Sequence, residues 1–149
     1  MIEALQAAGV PFVVHEHAPA HSVAERQALP FPWERAVKTL AFTSGETTAL
    51  VALVATDRVD MARLARALGV SRSSLAPATP EALQALGFEP GGVAPVSPDS
   101  QVRCLLDTRA CALSQPIFTG AGTAARTLEV DANDLARLAR CEIVDITRE

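Results

Sequence analysis

Residues 47–55 form a run of strand-forming residues that is apolar on both faces. Such a strand has to be covered on both sides, so the run predicts a central strand of a sheet. Residues 35–43 have the same strand character, and only Ser44, Gly45 and Glu46 separate the two runs. A turn of this length between two strands predicts a hairpin at the centre of the fold.

Helix signals are distributed around the hairpin. Asp60 and Thr79 are typical N-cap residues, and Ser22 with Glu25 three positions later forms a capping box. Helices and strands are therefore interspersed along the chain, but the hairpin and the clustered late strands exclude a simple βαβ repeat. The pattern predicts one α+β domain over residues 1–149, built on a mixed, mostly antiparallel sheet. The predicted helices cover residues 2–8, 23–29, 61–68, 80–86 and a segment after Asp131, and the further strands cover residues 12–17, 102–107, 117–119, 126–130 and 143–146.

Composition narrows the function classes. The longest apolar run has seven residues, and no basic stretch followed by an apolar core opens the chain, so we expect a cytoplasmic protein without a membrane span. Three cysteines without a C-x-x-C pair indicate neither a disulfide framework nor a zinc site. A net charge of −4 argues against a protein that grips nucleic acid with its whole surface, although a local basic patch stays open.

The only lysine is the most unusual polar residue. Twelve of the 13 basic residues are arginine, and Lys38 lies within residues 36–42, an otherwise apolar part of the first predicted hairpin strand. A half-buried ammonium is unfavourable unless it is paired or binds an anion. Lys38 is therefore a candidate for binding a phosphate or carbonyl oxygen in a tight pocket, and the alternative is an edge lysine whose ammonium reaches water.

Two glycine-containing segments could also serve a site. Residues 89–95, which we call the glycine loop, contain two adjacent glycines and two prolines, so main-chain N–H groups there can approach an oxygen without obstruction. The alternative is an ordinary connector. Residues 119–123 form a second flexible turn, which lacks the dinucleotide-binding fingerprint.

Histidines, cysteines and arginines suggest further chemistry less specifically. His15, His17 and His21 lie close in sequence, but their surroundings do not favour a metal site, and His17 is the better candidate for a pocket-lining residue. The three cysteines are interpreted as small buried hydrophobic residues, with a thiol-dependent enzyme as the alternative. Four arginines surround one predicted helix and form either a solvated face or a phosphate-binding patch: Arg58, Arg63, Arg66 and Arg72.

Three ordered motifs together resemble one known family. They are residues 37–40 around Lys38, Gly91 with Pro95 four positions later, and Gly120 with Gly122 before a strand. This set is similar to that of the YbaK/EbsC-like aminoacyl-tRNA deacylases, which share their fold with the editing domain of bacterial prolyl-tRNA synthetase. The resemblance covers nearly the whole chain and implies a barrel-like sheet flanked by short helices.

The resemblance also implies a function. The family removes a wrong amino acid from the 3′ end of a tRNA, typically tRNA-Pro, by attack of water on the ester, without a protein nucleophile, metal or cofactor. The implied partners are the acceptor end of an aminoacyl-tRNA and prolyl-tRNA synthetase, and neither a membrane nor DNA. Lys38 would anchor the 3′ end as the catalytic residue. The implied substrate-binding residues are His17, Thr39, Gly91, Gly92, Val93, Ala94, Pro95 and Gly120.

Two departures leave the acyl specificity open. Alanine-editing relatives tend to carry a histidine where this chain has Gly120, and cysteine-editing relatives often have a Gly-Arg-Arg-Gly-like turn that residues 120–124 lack. A non-catalytic module of the same fold that binds tRNA or a synthetase is the alternative function, and the presence of Lys38 and of the glycine loop weighs against it.

Overall fold

The computed structural model describes residues 1–89 and 91–148, and within them the chain forms ten strands and six α-helices. The strands are β1 (Phe12–Glu16), β2 (Ala36–Ser44), β3 (Thr47–Val54), β4 (Arg58–Val59), β5 (Ala76–Pro77), β6 (Val102–Asp107), β7 (Ile117–Gly120), β8 (Arg126–Val130), β9 (Glu142–Val144) and β10 (Thr147–Arg148). The helices are α1 (Ile2–Ala7), α2 (Val23–Gln27), α3 (Met61–Leu68), α4 (Pro80–Ala85), α5 (Thr108–Ala112) and α6 (Ala132–Ala139). Short 3-10 turns cover Trp33–Arg35 and Arg72–Ser74.

Eight strands form one mixed sheet. Its order is β1-β8-β7-β2-β3-β6-β9, with β5 also paired to β2, while β4 and β10 pair separately. The contacts β2–β7, β3–β6 and β6–β9 are parallel, and the other four pairings of the sheet are antiparallel. The predicted mixed, mostly antiparallel sheet with short helices is therefore confirmed. In the described ranges the ladder ends at β1 and β9, so no continuous ring of hydrogen bonds closes a barrel.

The hairpin lies at the centre, as predicted. Gly45 turns the chain with a positive φ of 58°, and Lys38 on β2 pairs with Leu53 on β3. One face of β3 places Leu50 in a core cluster with Leu106 and Leu128. The other face packs Val51 and Leu53 against α3. Two separate apolar layers therefore cover β3, which explains why the run over residues 47–55 shows no polar face.

Local capping follows the predicted chemistry. The Asp60 carboxylate accepts hydrogen bonds from two main-chain N–H groups at the start of α3, and the Ser22 and Thr79 hydroxyls each accept one at α2 and α4. These side chains satisfy N–H groups that have no partner within the helix. No helix in the described residues is both long and apolar enough to cross a membrane.

The structure adds four short elements that the sequence pattern missed: α5, β4, β5 and β10. Each has five residues or fewer, which is too short for a periodic signal. The strand predicted over residues 143–146 is β9, which ends at Val144. Ile146 lies beyond it, and its N–H donates to the buried carboxylate of Asp107 instead of to a strand.

Candidate functional site

A cavity of about 540 Å³ opens beside β2 and β7 and is bordered by α2 and by the glycine loop. Its walls are mainly apolar and include Phe31, Trp33, Leu40 and Phe118. The described lining contains no aspartate or glutamate, while both Arg26 and Lys38 contribute to it. The cavity therefore combines apolar walls with positive charge, which suits a ligand that has an anionic end and a small apolar end.

Lys38 lies half-buried on β2 at this cavity. Its Nζ donates a hydrogen bond of 2.7 Å to the main-chain carbonyl oxygen of Asp57, in the segment that follows β3. Burial lowers the pKa of Lys38, the Asp57 carboxylate opposes this shift, and Arg58 adds to it. The ammonium therefore lies where an anionic ligand can reach it and where its charge is only partly hydrated.

The Asp57 side chain has a different partner from its carbonyl. Arg109 on α5 donates from Nε to one carboxylate oxygen at 2.6 Å and from Nη2 to the other at 3.3 Å. The Asp57 side chain is only 8% exposed. Neither residue was predicted to belong to the site, because residues 57 and 109 lie far apart in sequence and neither stands in a recognisable motif.

The glycine loop packs tightly between two other segments. A Cβ on Gly91 would lie 3.1 Å from the carbonyl oxygen of Ala20, and one on Gly92 would overlap the main chain of Thr123. A Cβ on Gly120 would overlap the carbonyl of Val93. Close main-chain approach therefore requires glycine at Gly92 and Gly120, and a positive φ of 81° favours it at Gly91. The contacts of Gly92 and Gly120 bring the two glycine segments of the sequence together.

Hydrogen bonds fix the same loop. The Glu89 carboxylate accepts from the Ala124 N–H at 3.2 Å, and the Glu89 carbonyl accepts from the Gly92 N–H at 3.0 Å. The Arg26 guanidinium, whose pKa is lowered by burial, donates to the carbonyl of Gly91. No motif in the sequence singles out Arg26, although it lies one turn after the Ser22 cap on the short helix α2.

Only part of the predicted loop faces the cavity. Gly91 and Val93 line it, whereas Gly92, Ala94 and Pro95 are buried behind the lining. Pro90 lies outside the described residues. Residues 91–95 therefore form a wall in which the buried residues anchor the two that face the cavity.

His17 supports the cavity from behind. Its Nδ1 lies 2.8 Å from the carbonyl oxygen of Ala18, which can only accept, so Nδ1 carries a proton. In the neutral ring Nε2 then accepts from the hydroxyl of Thr127, at 2.8 Å, and Thr127 lines the cavity. His17 itself does not line it, so its contact with a ligand is indirect.

An aromatic cluster forms one wall. The rings of Phe31 and Phe118 are stacked with centroids 5.1 Å apart, and His15 lies 4.8 Å from Phe31. His15 also binds the Glu129 carboxylate at 2.9 Å. Among the described residues no group of three or more His, Cys, Asp and Glu side chains is arranged to hold a metal ion.

Two buried hydroxyls in the cavity wall have no hydrogen-bond partner among the described residues. They belong to Thr39 on β2 and Thr119 on β7. Buried hydroxyls are normally paired, because an unpaired one costs free energy. Thr39 was predicted to bind substrate, while Thr119 was not singled out for itself.

The other candidates lie elsewhere. Cys104, Cys111 and Cys141 do not line the cavity, and a hydrogen bond between Cys104 and Cys141 lowers the pKa of Cys104 to about 7. None of the four arginines of the predicted patch lines it either. Arg63 binds Asp145 at 2.9 Å and the carbonyl of Thr147 at 3.1 Å, so it has a structural role between α3 and the end of the chain.

Comparison with known proteins gives a family and a fold. Residues 17–138 match the family described as aminoacyl-tRNA editing domain. A crystal structure of a hypothetical protein is similar at a TM-score of 0.85 and 20% identity, covering 99% of this chain and 98% of that one. A second, described as a candidate trans-editing enzyme for prolyl-tRNA synthetase, is similar at a TM-score of 0.82 and 24% identity, covering 99% and 94%. Comparison with curated proteins gives no match.

Proposed function

The chain belongs to the aminoacyl-tRNA editing domain family, and on that premise we propose that it hydrolyses the ester between a wrongly attached amino acid and the 3′-terminal adenosine of a tRNA, in the first place tRNA-Pro. One observation carries the proposal. The Lys38 ammonium lies at a mainly apolar cavity whose described lining contains no carboxylate. The phosphate oxygens at the 3′ end of a tRNA carry the negative charge that the described lining lacks, and the ribose oxygens there can accept hydrogen bonds from the ammonium. The apolar walls suit a small amino-acid side chain.

In this reaction Lys38 anchors the 3′ end, and water attacks the ester carbonyl. The bond between the carbonyl carbon and the ribose oxygen breaks, and the released products are the free amino acid and the uncharged tRNA. No protein nucleophile is needed, so the contribution of the protein is to position the ester and stabilise charge.

The glycine loop supplies donors to the carbonyl oxygen as negative charge develops on it. The N–H of Gly92 is already bound to the Glu89 carbonyl. We therefore assign this role to the N–H groups of Gly91 and Val93, the two described residues of the loop that line the cavity. Thr39 and the His17–Thr127 pair complete the binding surface beside them.

Ester hydrolysis on a panel of tRNA-Pro species tests the proposal. The purified chain is incubated with tRNA-Pro charged with Ala, Cys, Ser, 2-aminobutyrate or Pro, and the Lys38→Ala variant serves as control. Selective release that depends on Lys38 supports the deacylase and names the amino acid. If no member is hydrolysed while the charged tRNA still binds, the chain is a binding module instead of an enzyme.

Prolyl-tRNA synthetase is the partner that this proposal includes. The support is the resemblance of the chain to the synthetase's own editing domain and the similar structure described as a candidate trans-editing enzyme for that synthetase. Adding the synthetase to the hydrolysis assay should lower the KM for mischarged tRNA-Pro if the two bind together. An unchanged KM, with no complex in gel filtration, would remove this partner.

A further inference from the structure

Asp57 presents two different groups to two different cations. Its main-chain oxygen accepts from Lys38 Nζ at 2.7 Å, and its carboxylate accepts from Arg109 Nε at 2.6 Å. A carboxylate is normally the stronger partner for a half-buried ammonium, because a full charge attracts more strongly than a carbonyl dipole at low dielectric. Lys38 nevertheless contacts the carbonyl.

The consequence for Lys38 is that its ammonium contacts no carboxylate among the residues that the structure describes. An ammonium that binds a carboxylate is neutralised as a pair and attracts an anionic ligand much less. A carbonyl oxygen orients the ammonium without neutralising it, and it engages one of the three N–H donors. The arrangement thus holds Lys38 in place and leaves the ammonium available to an anionic ligand.

We propose that Arg109 is a positioning residue that holds the Asp57 carboxylate away from Lys38, so that the ammonium stays available to an anionic group of the substrate. The forked guanidinium contacts both carboxylate oxygens, which a lysine cannot do in the same way. The role of Lys38 toward substrate rests on the proposed function, whereas the geometry around Asp57 stands independently of it.

The position of Arg109 is itself fixed by the fold. Its main-chain N–H donates to the carboxylate of Asp107 at 3.0 Å, at the start of α5. Asp107 is fully buried and also accepts from Ile146 and Thr147. The base of the Arg109 side chain therefore does not move freely, and the guanidinium reaches Asp57 from a defined point.

The effect of neighbouring charges on the Lys38 pKa can be measured directly, because this chain has no other lysine. Lysine labelled with carbon-13 at Cε gives one side-chain signal, whose titration reports the Lys38 pKa. Among the described residues, the Asp57 carboxylate raises the Lys38 pKa and the Arg58 guanidinium lowers it. In Arg109→Gln the released carboxylate should pair with Lys38 and raise its pKa. In Asp57→Asn the pKa should fall, because the nearby negative charge is lost.

Rescue provides the decisive comparison. Arg109→Gln should lower kcat/KM for deacylation about tenfold or more, the scale of one lost charge-assisted contact. Adding Asp57→Asn to Arg109→Gln removes the competing carboxylate and should restore most of that loss. Arg137→Gln, which breaks the Arg137–Asp134 pair on α6 at 2.9 Å, is the matched control and should leave kcat/KM unchanged.

Two results would overturn the inference: an unchanged or lowered Lys38 pKa in Arg109→Gln, or a double variant as inactive as the single one. The second result would mean that Arg109 acts only by stabilising the fold, which thermal unfolding of the same variants checks. Failure of the proposed function has a different signature. The wild-type chain would then hydrolyse no charged tRNA, while the titration shifts in the two variants would still appear.

Discussion

The main-chain carbonyl of Val93 packs directly against the α-carbon of Gly120 and leaves no room between them for a Cβ. This contact joins the glycine loop to the end of β7. Any side chain at position 120 would displace the loop wall. Position 120 therefore controls the shape of the cavity through the main chain of Val93.

Gly120→Ala tests this contact. We expect the alanine to push Val93 out of place, with a loss of about 1–3 kcal/mol in the free energy of unfolding from overpacking and a larger relative loss of deacylation. Denaturant unfolding and kcat/KM measure the two effects. Gly45→Ala is the control, because an added Cβ at Gly45 would meet nothing within 4 Å, while the positive φ there disfavours alanine. It should lose stability and keep its activity.

Replacement of Lys38 should separate chemistry from folding. Lys38→Ala should abolish deacylation while the chain still folds. The fold should persist because the substitution removes a half-buried charge from an apolar strand. Lys38→Arg should fail as well, because a planar fork does not replace a compact ammonium in this cavity. Steady-state deacylation and circular dichroism are the measurements. Full activity of the arginine variant would contradict the role given to the ammonium.

The stability of the chain should depend on pH through Lys38. Burial lowers the pKa of Lys38 below its ordinary value of 10.5. Between the folded and unfolded pKa values the unfolded chain binds more protons, so the free energy of unfolding rises with pH in that window. Wild type should therefore gain stability relative to Lys38→Met as pH rises through the folded pKa toward 10.5. Denaturant unfolding of both proteins at several pH values measures the difference, and a difference that falls with pH would show that burial is not the dominant effect.

The unpaired hydroxyls in the cavity wall predict an unusual pair of effects. Thr39→Val replaces a buried hydroxyl that has no partner in the described chain with a methyl group of similar shape. The free energy of unfolding should stay equal or rise by about 1 kcal/mol, because no hydrogen bond is lost. Deacylation should fall if the hydroxyl serves the substrate. Retained activity with higher stability would remove Thr39 from the binding surface.

Cys111 should be dispensable for the reaction. Cys111 lies on α5 outside the cavity, and its thiol has a pKa raised by burial, so it is poorly suited to act as a nucleophile. Cys111→Ala should keep kcat/KM within the error of the assay. An inactive but folded Cys111→Ala variant would support a thiol-dependent enzyme instead of the proposed deacylase.

Local patterns in the sequence determined the elements whose signal is periodic or chemical. The run over residues 47–55 indicated a strand covered on both faces, and Asp60 and Ser22 indicated helix starts, because each of these signals arises from neighbours within one or two turns. The same reasoning identified Lys38, since a single lysine in an apolar strand is unfavourable without a partner or ligand. Short elements such as α5 were not predicted, because five residues are too few to show a helical period.

Tertiary structure alone decided what surrounds Lys38. The strand order places the segment after β3 beside the ammonium and brings Arg109, 52 residues away, onto the Asp57 carboxylate. It also packs Gly120 against Val93. A sequence reports burial and local capping, whereas the pairing of distant polar groups depends on which strands become neighbours. That choice is made by the packing of the whole sheet, and no local pattern encodes it.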